Sequence, residues 1–148
     1  MSTVGRGEPA ASRVIQADGR SKAYRPLPVH ARAAALHEGL AAYARGDFFQ
    51  AHEHLEPAWM GTADPAERAF IQGLIKLAAA DVHGVRGNPR GVARNLAGAL
   101  ERLHHAAAAG FVAPPGFRLD RLVETLEARE AAARRGLRTG PTVLPWEP

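Results

Sequence analysis

Between Val29 and Arg135, apolar side chains recur at three- and four-residue spacing. No stretch there alternates with the period of two that a half-buried strand needs. Ala, Leu, Arg and Glu dominate, and these are good helix formers. The first helix is expected from near His30 to Arg45. Ala33, Leu36, Leu40 and Tyr43 form its stripe, and Gly46 is a natural stop. Asp47 then reads as an N-cap, and Gln50 three residues on completes a capping box for the second helix. Pro57 is expected to kink or shorten that helix, because its ring clashes with the carbonyl of Glu53. Asp64-Pro65-Ala66-Glu67 places an N-cap, a first-turn Pro and an acidic N3 in register and opens a third helix, reaching about Val85. Asn88-Pro89 repeats the signal for a fourth, ending near Gly110, with Val92, Leu96, Ala99, Leu100 and Leu103 as its stripe. Ala113-Pro114-Pro115-Gly116 breaks the chain. A fifth helix follows from about Leu119, with Leu119, Leu122, Val123 and Leu126 inward and Gly136 at its end.

Arg45-Gly46-Asp47 matches Arg86-Gly87-Asn88 at a spacing of about 41 residues. In that frame Leu36 meets Leu77, Leu55 meets Leu96 and Ala58 meets Ala99. Each copy predicts a helix, a tight turn and a second helix, the unit of tetratricopeptide-like stacks. The expected architecture is all-α: one compact bundle of about five helices with tetratricopeptide-like hairpins. Residues 26–136 form the helical domain. Residues 1–25 read as a flexible basic arm and residues 137–148 as a proline-containing tail, extended and docked by Trp146.

Composition narrows the function classes. The chain has 148 residues and no cysteine, which excludes disulfides, thiolate metal sites and Cys nucleophiles. No apolar run approaches the ~18 residues of a membrane helix, and Met1–Ala10 carry no apolar core of a secretory signal. A cytoplasmic protein with no membrane association is expected. The formal net charge is +4. Its excess sits mainly in the arm, where Arg6, Arg13, Arg20, Lys22 and Arg25 outnumber Glu8 and Asp18. Residues 26–116 balance. Nucleic acid is therefore not the expected partner. No phosphate loop follows any glycine cluster. The three serines, Ser2, Ser12 and Ser21, all lie in the arm.

The polar residues that need explaining lie in Asp47–Trp59. On a helix, Phe48, Leu55 and Trp59 share one face and His52 falls close to it, so His52 is expected to be largely buried. Glu56, one turn on, is its local partner. Three readings stand side by side. One is a structural His–Glu hydrogen bond. The second is a metal site in which His52 and Glu56 converge with His83 from the third helix. The order His-Glu-x-x-Glu is not the zinc-protease signature. The third is a ligand pocket or acid–base site of His52, Glu53, Glu56 and His83. On the third helix, Ile71, Leu74, Ile75, Ala78 and Val82 make the apolar arc, with Gln72, Lys76 and His83 outside it. Asp81 falls at the edge of that arc and needs a partner, an arginine being the natural one. His54 reads as exposed, His104-His105 as complementing a helix C-terminus, and His30 and His37 as isolated.

These residues carry a resemblance. Gly46-x-Phe48-Phe49-x-Ala51-His52-Glu53-x-Leu55-Glu56-x-x-Trp59 resembles the helical family catalogued as domain of unknown function 309. So does Glu67-Arg68-x-Phe70-x-Gln72-Gly73-Leu74-Ile75-x-Leu77, followed by His83 and Arg86-Gly87-Asn88. The resemblance covers roughly Leu36 to Leu103. It implies a small all-α bundle, mainly prokaryotic, with no established activity. It also implies that His52, Glu53, Glu56, Trp59, Gln72 and His83 form one polar cluster between the second and third helices. Two positions depart from the pattern. Gln50 stands where a Glu is usual, which weakens a multi-carboxylate metal site, and Pro57 interrupts the helix. The expected function is a non-catalytic binding or protein-interaction module, working with a protein partner or as a homodimer and without a cofactor. The alternative is a metal-dependent or acid–base enzyme built on the His/Glu cluster.

Overall fold

The computed structural model describes residues 13–15 and 21–148. Five helices follow one another: α1 (Val29–Ala44), α2 (Phe48–Met60), α3 (Pro65–Val85), α4 (Pro89–Ala108) and α5 (Leu119–Arg134). Consecutive helices pack on each other, α3 on α4 most extensively. Two short strands precede them, β1 (Arg13–Ile15) and β2 (Ser21–Ala23), paired antiparallel with Arg13 opposite Ala23. This hairpin lies within the segment read as an arm and was not expected from its pattern. Residues 1–12 and 16–20 of that segment, with Arg6 and Arg20, lie outside the described residues. Among the described residues, no helix is long and apolar enough to cross a membrane.

The two matched turns form the same way. Gly46 and Gly87 take φ of +84° and +71°, the left-handed region that only glycine enters without a Cβ penalty. In each, the next residue's N–H reaches back to close a helix end: Asp47 N to Ala42 O and Asn88 N to His83 O, both 2.9 Å. The caps then diverge. Asp64 accepts from Glu67 N at 2.9 Å and Asn88 from Gly91 N at 3.1 Å. Asp47 occupies the cap position of α2 but makes no side-chain cap, so the expected capping box with Gln50 does not form. Its backbone (φ −97°, ψ 72°) is close to that of Asn88 (φ −112°, ψ 85°), so a cap-like backbone does not by itself bring the side-chain bond. Pro57 does not end α2, which continues to Met60.

The predicted stripes supply the core. Leu40, Tyr43, Leu55, Ile71, Leu74, Leu96, Leu100, Leu103, Leu122 and Leu126 are all buried. Ala33 is an exception on the exposed side of α1, and Leu36 is only half-buried. Phe70 stacks on Phe111 (4.7 Å between centroids) and meets Phe117 edge-on (5.4 Å), which closes the α4–α5 connection over the core. The C-terminal segment docks as expected. Arg118 N donates to Pro145 O (2.9 Å) and Glu147 N to Gly116 O (2.8 Å). Trp146 is half-buried against the core. His37, read as isolated, meets its ring edge-on at 5.2 Å.

The tight α3–α4 contact requires Gly73. A Cβ there would lie 2.7 Å from the Leu103 side chain and 3.3 Å from Ala99 O. Gly73→Ala is expected to lower stability by about 1–3 kcal/mol despite the better helix propensity of Ala, because Leu103 is fully enclosed. Urea unfolding followed by circular dichroism measures this; an unchanged or raised midpoint contradicts the packing.

Candidate functional site

The His/Glu motif lies on the outer side of α2. His52, Glu53 and Glu56 bring their ligand atoms within 4.8 Å of one another. Among the described residues, these are the ones placed to converge on a metal ion. His52 is not largely buried: 32% of its side chain is exposed. Its nearest charged contact is Glu53 Oε2 at 3.7 Å, and no hydrogen bond joins it to Glu56. The 100° spacing placed His52 near the apolar face, but α2 buries a narrower arc than that, through Phe48, Ala51, Leu55 and Ala58.

The other three residues of the expected cluster have partners of their own. Gln72 Oε1 accepts from Arg102 Nε at 3.1 Å. His83 Nδ1 and Asn88 Nδ2 are 3.1 Å apart, at the α3–α4 turn. Trp59 lies under the Arg68 guanidinium, 4.8 Å from the ring centroid. Arg68 is buried and bonds Trp59 O (2.8 Å) and Thr62 O (3.1 Å), which fixes the α2–α3 turn; burial lowers its pKa. His54, read as exposed, is half-buried. His104, at the end of α4, lies 3.1 Å from Glu127 of α5.

The strongest polar constellation is elsewhere. Asp81 on α3 is only 3% exposed, inside the arc rather than at its edge. Its partner is Arg129 of α5, 9% exposed, through Nη2 to Oδ1 (2.6 Å) and Nη1 to Oδ2 (3.2 Å). Tyr43 Oη of α1 donates to the same carboxylate. Arg129 also donates to Thr142 Oγ1 (3.0 Å) and Thr139 Oγ1 (3.1 Å) of the C-terminal segment. Thr142 N donates to Tyr43 Oη at 3.0 Å. Burial raises the Tyr43 pKa far above its usual range, and the Asp81 charge adds to this. Burial alone would lower the Arg129 pKa, but the bonds and charge of Asp81 hold it above its ordinary value. Sequence reasoning missed Tyr43, Arg129, Thr139 and Thr142 as polar partners. Only the lone acid in an apolar arc gave a signal.

Beside this network opens a cleft of about 650 Å³. Asp81 is among its lining residues. Phe48, Val85, Val92 and Leu137 supply apolar walls, and Asn88, Arg138 and Thr139 supply polar ones. The cleft therefore sits at the end of the bundle where α2 and α4 begin and α3 and α5 finish. It has the size and mixed lining of a small-molecule site.

Three outcomes follow for the two polar groups. Arg129→Met leaves the Asp81 charge buried without its cation and is expected to cost about 3–5 kcal/mol in denaturant unfolding. Tyr43→Phe is also destabilising near neutral pH. Because the folded-state Tyr43 pKa is raised, its protonated contribution is complete below about pH 10 and is lost as pH rises beyond that. The stability gap between the native chain and Tyr43→Phe therefore shrinks above pH ~10, at up to about 1.4 kcal/mol per pH unit. A constant gap to pH 11.5 contradicts the network. His52→Ala, by contrast, is expected to shift stability by no more than about 0.5 kcal/mol, as for a half-exposed side chain with no hydrogen bond.

Residues 36–95 match the family model described as Domain of unknown function (DUF309). The match spans α1 from Leu36, all of α2 and α3 and the start of α4, with both Arg-Gly turns. No curated protein and no solved structure matches the chain. The match over residues 36–95 thus supports the resemblance to the DUF309 family, inside an all-helical bundle.

Proposed function

We propose that the protein is a non-catalytic binding module whose ligand occupies the cleft at the α3–α4 turn. The observation that carries this is the lining itself. Asp81 is the one carboxylate among the lining residues, and both of its oxygens are held by Tyr43 and Arg129. A carboxylate so occupied is a poor proton carrier, because releasing either bond uncovers a buried charge. The remaining walls are apolar side chains and glycines with the polar groups of Asn88, Arg138 and Thr139, which suit retention of a ligand rather than chemistry on it. Val85 is 77% exposed and Leu137 53% exposed. Both belong to the lining, so apolar surface is offered to solvent at the cleft mouth.

The neutral dye N-phenyl-1-naphthylamine tests this reading. It is expected to bind the folded chain saturably, near one molecule per chain, with enhanced fluorescence. Leu137→Asp places a charge in the apolar wall and is expected to weaken binding at least about tenfold. Its melting temperature should stay close to that of the native chain. Absence of saturable binding, or equal binding by the variant, sinks the reading.

A further inference from the structure

We infer that the cleft takes a small organic anion with an apolar body; this rests on the binding-module reading. The argument begins with where the bundle places arginine. Arg86 and Arg135 are the C-cap residues of α3 and α5, and Arg45 is that of α1. Arg86 and Arg135 each adjoin a lining glycine, Gly87 and Gly136, and Arg138 is itself in the lining. All four are exposed, and none forms an ion pair among the described residues. The acids at this end offer little compensation. Asp81 is neutralised by Arg129, and Glu130 pairs with Arg134 at 2.9 Å. Asp47, the N-cap residue of α2, adds one carboxylate there.

A cation at a helix C-terminus is favoured by the helix dipole, which by itself accounts for the three C-cap arginines. Arg90 is different. It is the second residue of α4, beside the lining residue Pro89, and exposed. There the dipole's positive end disfavours a cation. Arg138 lies beyond α5 in irregular chain and has no dipole to complement. Arg90 and Arg138 thus add positive charge beside the cleft where local helix electrostatics does not call for it. An anion supplies the compensation, and an apolar body fills the walls of Val85, Val92 and Leu137.

Two dyes of nearly the same shape separate the charge requirement from the cleft itself. The sulfonate 1-anilinonaphthalene-8-sulfonate and the neutral N-phenyl-1-naphthylamine are titrated into the full chain. The sulfonate is expected to bind about tenfold more tightly at ~50 mM salt, the preference falling below about threefold at ~0.5 M as the arginines are screened. The double variant Arg86→Gln, Arg138→Gln should keep the neutral dye's affinity and lose the preference. Circular dichroism confirms that this surface variant is folded. Equal affinities at low salt, or a preference untouched in the double variant, overturn the inference and leave the cleft reading standing. If neither dye binds saturably, both readings fall.

Discussion

The Asp81–Arg129 pair is the constraint on which the rest of the bundle depends. It joins the longest helix, α3, to the last, α5, across the interior. Tyr43 brings α1 into the same contact, and Thr139 and Thr142 bring in the chain beyond α5. Helices of this kind pack by apolar faces that tolerate small slides and rotations. A buried carboxylate with a bidentate guanidinium tolerates neither, because any offset leaves a charge without its hydrogen bonds. The pair therefore fixes how α5 sits on α3, and with it the position of the C-terminal segment.

The cleft follows from that placement. One of its walls is Leu137, Arg138, Thr139 and Pro141, and this wall stands where Arg129 holds the adjoining threonines. The opposite wall is the α3–α4 turn, shaped by Gly87 and closed by Asn88. The same network that occupies the only lining carboxylate also builds the space beside it. Structural demand and binding capacity meet in one residue, Asp81. The His52–Glu53–Glu56 group has no such support, since it lies on the outer side of a single helix with a 3.7 Å contact as its closest charged pairing.

Much of the fold was legible in the sequence because its signals are local. Asp64-Pro65 and Asn88-Pro89 begin helices through side-chain bonds three residues long. Gly46 and Gly87 end them through a backbone conformation that other residues resist. The stripe on α4 is buried as its spacing predicts, and so is that on α5 apart from the half-buried Val123. Where the reading erred, a local rule met a longer-range one. Asp47 has the residue type of a cap and nearly the backbone of Asn88, yet it makes no side-chain cap bond. His52 lies near the apolar face by angle, yet its neighbours leave it half in water.

The sequence by itself determined five helices, their ends and the faces they bury, because helix propensity, capping and periodicity act within a few residues. It also marked Asp81 as a charge needing a partner. Only the tertiary structure decided that the partner is Arg129, 48 residues away. It alone gathered Arg45, Arg86, Arg90, Arg135 and Arg138, spread over three segments of the sequence, at one end of the bundle. Net charge read along the chain is nearly balanced there. Charge read in space is not, because antiparallel packing brings alternate helix ends together and sums potentials that the linear order keeps apart.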